Sequence, residues 1–149
     1  METETKLTPD EIAAFDYAGP LFKSFGDGSH YVMTGDYREV PCGIFTIRAT
    51  IVPDYDSRPE DFGGCYTPEA VAAWSRDEWF FVGVVLSVHW GEEIVLDRHA
   101  ASLWGLECNL DGDNSYLSDA ANELLPQAAA RAIELRDMMR NAFAKAGEG

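Results

Sequence analysis

The clearest period in the chain is the run Ile44–Val52 (IFTIRATIV), in which Phe45, Ile47, Ala49 and Ile51 alternate with Thr46, Arg48 and Thr50. Such alternation puts the apolar set on one face of an extended chain and predicts a half-buried strand that ends at Pro53. Trp79–Trp90 differs: its first eight residues, WFFVGVVL, are apolar on both faces, and alternation begins only towards Ser87 and His89. A strand covered from both sides reads this way. Gly91-Glu92 then predicts a two-residue turn, with Gly supplying the positive φ, into a strand Glu93–Asp97, and Leu103–Cys108 (LWGLEC) predicts one more.

Helical periods frame these strands. Thr8-Pro9-Asp10-Glu11 combines a capping residue, a proline suited to the first helical position and the acid of a capping box, with Leu7 and Ile12 as a hydrophobic staple. A short helix is expected from there to Tyr17, where Ala18-Gly19-Pro20 stops it. Thr67-Pro68-Glu69-Ala70 repeats the signal, with Tyr66 and Val71 as the staple, and starts a second helix at Pro68. From Ser115 to about Ala146 the pattern is helical, with Leu117, Ala121, Leu124, Ala128, Ile133 and Phe143 near one face; Pro126 must kink this helix or begin another. The Gly-rich, polar stretch Phe22–Gly43 offers one short strand, around His30–Met33. The order of elements predicts a single α+β domain over residues 1–149: an antiparallel sheet of four to five strands, helices on one face and a long C-terminal helix. Residues 1–6 and 147–149 are expected to be disordered.

Charge changes the picture most. The 149 residues carry 26 Asp and Glu against 11 Lys and Arg, a net charge of −15. Residues 131–149 hold four bases and three acids, which leaves seven bases against 23 acids, or −16, in residues 1–130. A surface of that sign repels nucleic-acid backbones and anionic membranes and attracts a basic protein. Asp54, Asp56, Glu60, Asp61, Asp77, Glu78, Glu92 and Glu93, in the loops of the strand region, are the candidate partner-binding residues. Carboxylates presented at intervals can occupy a groove of Lys and Arg built for phosphates. The plainer alternative is a solvated face that keeps the protein from self-associating.

Catalytic and metal chemistry is weakly signalled. Cys42, Cys65 and Cys108 are odd in number and far apart, which suits reduced thiols better than a disulfide framework. Together with His30, His89 and His99 they contain no pair at zinc-clamp spacing. The loop Asp111–Ser115 begins like a calcium loop but has Tyr116 where Gly is needed and Asn122 where the bidentate Glu is needed; a cap by Asp113 or Asn114 explains it better. Gly63-Gly64-Cys65, ahead of a helix start, is the most suggestive thiol, though a packing cysteine in a glycine loop suffices. No phosphate loop or nucleophile elbow occurs. The sequence therefore assigns no catalytic residue, no cofactor and no metal. The competing reading is a small enzyme or ligand-binding domain whose pocket is lined by aromatics with Cys65 and His89. The acidic N-terminus METETKLTPDE lacks the form of a secretion signal, and a soluble, cytoplasmic protein is expected.

The segment Leu103–Leu125 (LWGLECNLDGDNSYLSDAANELL), above all DNSYL followed by ANELL, resembles small acidic proteins encoded by bacteriophages and plasmids. REVPCG at Arg38–Gly43 and DEWFFVGVV at Asp77–Val85 add to the likeness. The resemblance implies a setting rather than a site: acidic proteins of mobile elements include inhibitors of host defence of the anti-CRISPR and anti-restriction types. The expected function is thus a non-enzymatic protein that binds and inhibits a basic, nucleic-acid-binding complex of the host by nucleic-acid mimicry, acting in the host cytoplasm if phage-encoded. The near-neutral end of the chain adds one expectation. Ala128, Ala129, Ala130 and Ala132 beside Ile133, Leu135, Met138, Met139 and Phe143 offer more apolar surface than one stripe needs, so a homodimer through this helix, with Met139 and Phe143 at its interface, is expected.

Overall fold

Four strands lie side by side in chain order, each antiparallel to the next: β1 (Tyr37–Cys42), β2 (Phe45–Pro53), β3 (Phe80–Trp90) and β4 (Ile94–Cys108). A short helix α1 (Pro68–Ser75) comes between β2 and β3, and a long helix α2 (Ser115–Glu148) follows β4. The computed structural model describes residues 22–25, 31–110 and 114–148; the helix expected over residues 9–17 and the disorder expected at 1–6 lie outside them. The architecture is the expected α+β one, with a long C-terminal helix over an antiparallel sheet.

The strongest patterns became the expected elements. In β2, Phe45, Ile47, Ala49 and Ile51 are buried while Thr46, Arg48 and Thr50 are only half-buried. They pair across β3 as Ile47 with Val88, Ala49 with Leu86 and Ile51 with Val84. These residues and Val40, Cys42 and Val82 form the sheet side of the core. From α2 come Leu117, Ala121, Leu125, Ala128, Ala129 and Ala132, whose alanines let the helix backbone settle close to the strands. At such density, truncating Leu125 or Leu86 to Ala removes about 2–5 kcal/mol. The Thr67 hydroxyl caps α1 by accepting the Ala70 N–H at 3.1 Å.

Three expectations are corrected. First, β1 is an edge strand the pattern does not announce, because only Val40 and Cys42 of its six residues are buried and Pro41 interrupts it. Proline is tolerated on an edge, where one side of the strand needs no donor. Residues 31–33 form no strand. Val32 is nevertheless fully buried, held by Asn109, whose Oδ1 accepts the Val32 N–H at 2.9 Å and whose Nδ2 donates to the Val32 carbonyl at 2.8 Å. Asn122 treats Phe22 the same way, at 2.7 and 3.2 Å. Second, the strands expected at 93–97 and 103–108 are one strand of 15 residues, since register shifts between Val82 and Val84 and between Leu86 and His89 absorb the surplus of β4. The turn into it has three residues, with Trp90 opposite Ile94, rather than two. Third, of the two outcomes expected at Pro126, the start of a second helix is excluded: α2 is one helix through Pro126, which is exposed.

α2 runs antiparallel to β4: the Tyr116 hydroxyl donates to the Glu107 carbonyl near its start, and Arg131 pairs with Asp97 at 2.8 Å farther on. Beyond Asp97 the strand has three residues left, about 10 Å, whereas α2 continues 17 residues past Arg131, about 25 Å. The end of the helix therefore overhangs the sheet by roughly 15 Å. Ala128, Ala129, Ala132, Ile133 and Leu135 are buried and complete the core of the single chain; Met139 is partly buried against that core, and residues 140–147 are exposed.

β3 is buried from Phe81 to His89, so its second face needs cover that α2 does not give. Part of it comes from Trp104, whose indole lies on Gly83: a Cβ built at Gly83 would collide with Trp104 Cε3. Gly83→Ala is expected to cost about 1–3 kcal/mol by levering the indole off the sheet. Most of that cost should vanish in a Trp104→Ala background, read as a double-mutant cycle of urea unfolding.

Candidate functional site

The chain between β2 and β3 builds one end of the molecule. Phe81 leaves β3 on the face away from α2 and gathers Phe62, Tyr66 and Trp79, with ring centroids 5.1 to 6.2 Å apart. Trp79 is buried and its indole N–H donates to the Ala70 carbonyl at 2.8 Å, which fixes α1 to the cluster. Burial, then a hydrogen bond to the Glu107 carboxylate, raises the Tyr66 hydroxyl well above its ordinary pKa. This rigid aromatic base carries the loop Asp54–Phe62.

Asp54 is the internal anchor of that loop. Its Oδ1 accepts the N–H groups of Asp56 and Ser57, and its Oδ2 accepts the Ser57 hydroxyl at 2.8 Å and the Gly105 N–H at 2.9 Å. Burial acts to raise its pKa, but the hydrogen bonds from Ser57, Gly105 and Asp56 outweigh it and leave the carboxyl below its ordinary value. Gly105 has φ +73°, a conformation glycine adopts without strain, and so can aim its N–H across the sheet.

Above the anchor lies an open cleft of about 580 Å³ whose walls include Tyr55, Trp74, Phe80 and Phe81, with Arg58 and Asp77 among its polar lining. Tyr55 is 86% exposed, so its ring stands in solvent at the cleft edge. The eight acids singled out in the sequence fall into three sets. Asp54 is used internally, and Asp61 accepts the Arg58 N–H at 2.9 Å within the loop's short 3-10 turn. Asp77 is exposed in the cleft lining, and Asp56, Glu60 and Glu78 are exposed on the adjoining segments, Glu78 bonded to Arg76 and Glu60 3.9 Å from Arg58. Glu92 and Glu93 are exposed at the β3–β4 turn, at the far end of β3 and roughly 30 Å away. The cleft thus brings six of the eight to one end and leaves two at the other. Its aromatic lining has no sequence signal, because Trp74 and Phe80 reach it from a helix and a strand on either side of a loop.

Among the described residues, the thiols and imidazoles do not converge there. Cys65 is exposed, whereas Cys42 and Cys108 are buried in the core; burial pushes the Cys108 thiol up to about 12. His89 lies eight residues along β3 from Phe81, about 26 Å, so it and Cys65 do not line one pocket. Only 4% exposed, it meets the Ser87 hydroxyl at 2.6 Å through Nε2, while its Nδ1 has no partner. Burial first, and Arg48 second, lower its pKa. Arg48 covers this row of the sheet, bonded to Glu39 at 2.9 Å with its guanidinium 4.6 Å from the Tyr37 ring centroid. Among the described residues, no three His, Cys, Asp or Glu are grouped to hold a metal, and no helix is long and apolar enough to cross a membrane. Asn122, at the position a calcium loop would give to Glu, is spent on Phe22.

Comparison with models of protein families, with curated proteins and with solved structures gives no match to this chain.

Two outcomes follow from the buried polar groups. Asp54→Ala should cost about 2 kcal/mol at pH 7, the worth of hydrogen bonds to a charged acceptor. Because its pKa in the fold is depressed, the Asp54 contribution is complete above 3.8 and is lost as pH falls through the lower folded value. For His89 the unfolded chain takes a proton near 6.5 while the fold resists it, so stability declines as pH drops below 6.5. His89→Asn should flatten that decline in chemical denaturation measured from about pH 7 to 5.

Proposed function

We propose that this protein is a non-enzymatic acidic inhibitor that occupies the basic, nucleic-acid-binding surface of another protein. The observation that carries the reading is the cleft: exposed Asp77 stands among its aromatic walls, and Asp56 and Glu60 are exposed on the loop that lines it through Tyr55 and Arg58, at one end of a region with a net charge of −16. Carboxylates alone would be a solvated rim. Carboxylates around Tyr55, Trp74 and Phe80 suit an Arg or Lys side chain, which can lay its cation on a ring while pairing with the acids. The long-range field brings the partner in, and the cleft gives a single cation a place to seat.

The likeness of Leu103–Leu125 to phage and plasmid proteins makes a host-defence complex of the CRISPR or restriction type the expected partner, met in the host cytoplasm. The cleft also favours a second reading, a small-molecule site, because it is partly apolar with polar groups at its edge. Cys65 and His89 have no part in that version.

A gel-shift competition tests the proposal. Added to purified defence complexes loaded with labelled duplex DNA, the chain should release the DNA from its target. Its potency should fall at least 10-fold between about 0.05 and 0.5 M salt. Lys at Asp56, Glu60 and Asp77 together should abolish release without unfolding the protein, and Trp74→Ala should weaken it. Potency that is indifferent to salt, or undiminished by the triple charge reversal, overturns the reading.

A further inference from the structure

The overhanging end of α2 continues the stripe that packs on the sheet. Leu135 is buried and Met139 touches the core; at helical spacing Ala142, Phe143 and Ala146 follow on the same face, and Phe143 is 68% exposed. Arg140 and Lys145 fall on the two flanks of that stripe. The sheet ends beside it in two turns. Cys42 is opposite Phe45, Thr46 is opposite His89 and Trp90 is opposite Ile94, so the β1–β2 and β3–β4 turns share one tip. That tip exposes Ile44, Trp90 and Ile94, at 64%, 42% and 49%, together with Glu92 and Glu93.

We propose that the protein forms a two-fold homodimer in which the α2 overhang of each copy lies across the sheet tip of the other. Charge names the occupant. In a chain whose first 130 residues carry −16, the overhang sets two bases, Arg140 and Lys145, beside an apolar stripe, and the tip offers apolar residues beside two acids. Phe143 lies against Ile44, Trp90 and Ile94, while Arg140 and Lys145 face Glu92 and Glu93. Length agrees as well: an overhang of roughly 15 Å reaches a partner's tip when two copies meet end to end with their helices side by side. Two-fold symmetry makes the contact twice, which is how a short helix end approaches the roughly 800 Å² per partner of a stable interface. Met139 braces the helix from within its own chain, and Phe143 is the residue that crosses. The dimer rests on the far end of the molecule from the acidic cleft and does not depend on what that cleft binds.

Sedimentation equilibrium at about 100 μM should give twice the chain mass of 16.5 kDa. Phe143→Glu, at a site exposed enough to leave the fold intact by circular dichroism, should yield the monomer. Glu92→Lys with Glu93→Lys in one protein, and Arg140→Glu with Lys145→Glu in another, should each weaken self-association at least 10-fold. Mixing the two proteins should restore a dimer, since both contacts then join unlike charges. A monomer mass for the native chain overturns the proposal, as does a dimer that survives Phe143→Glu. Failure of the mixed proteins to pair while each alone remains dimeric overturns it too.

Discussion

β3 is apolar on both faces, and a sheet with one long helix can cover only one of them. Burial from Phe81 to His89 therefore demands a second cover assembled from other parts. α2 supplies the first layer with a stripe rich in alanine. The second is a patchwork along the strand: the Phe62, Tyr66, Trp79 and Phe81 rings at one end and the Trp104 indole over Gly83. Beyond them comes the Arg48 side chain beside Tyr37, next to Ser87 and His89. Each piece constrains the chain that delivers it. The loop from Asp54 to Phe62 must fold back to bring Phe62 onto Phe81, and Asp54 is the carboxylate that makes this return possible by holding its own loop and Gly105 at once. The cleft exists because that loop and α1 stand on an aromatic base rather than on a helix layer.

What the sequence made legible divides along the same line. β2, β3 and α2 each bury a regular set of positions, so period alone finds them. β1 escapes because an edge strand with two buried residues and a proline carries no period. β4 is read as two pieces because its bulged middle, Asp97-Arg98-His99, is polar and is kept in the strand only by register shifts that depend on its partner. Asp54 reads from sequence like any other acid of its loop. That it points inward is decided by Gly105, 51 residues away, which no local pattern reports. The cleft is hidden for the same reason: its aromatics are ordinary core candidates until the fold leaves their edges in solvent.

Charge behaves differently from packing. The fold consumes some carboxylates as structure: Asp54 and Asp61 satisfy backbone donors, Glu107 accepts from Tyr66, and Asp97 anchors Arg131, whose guanidinium it stabilises. These acids would be present in a chain with no partner at all. The exposed remainder is where use beyond folding has to lie, and it separates into a group around the cleft and a pair at the opposite tip. Net charge counts both kinds alike, so the figure of −15 overstates the exposed acidic surface and says nothing of its arrangement.

The separation of the two ends has a mechanical consequence. In the dimer proposed above, joining two copies through their tips would leave each cleft at an outer end, one strand length of about 36 Å from its own tip. Neither contact would then compete with the other, and each copy would present its acidic end intact. Two clefts on one rigid body would engage a partner with two basic surfaces far more tightly than either cleft alone, because the second contact forms at the effective concentration set by the first. That gain requires rigidity, and an unbroken helix spanning core and overhang is the element best able to supply it. In such a dimer the 34-residue length of α2 would connect the architecture of the sheet to the way an acidic surface is multiplied.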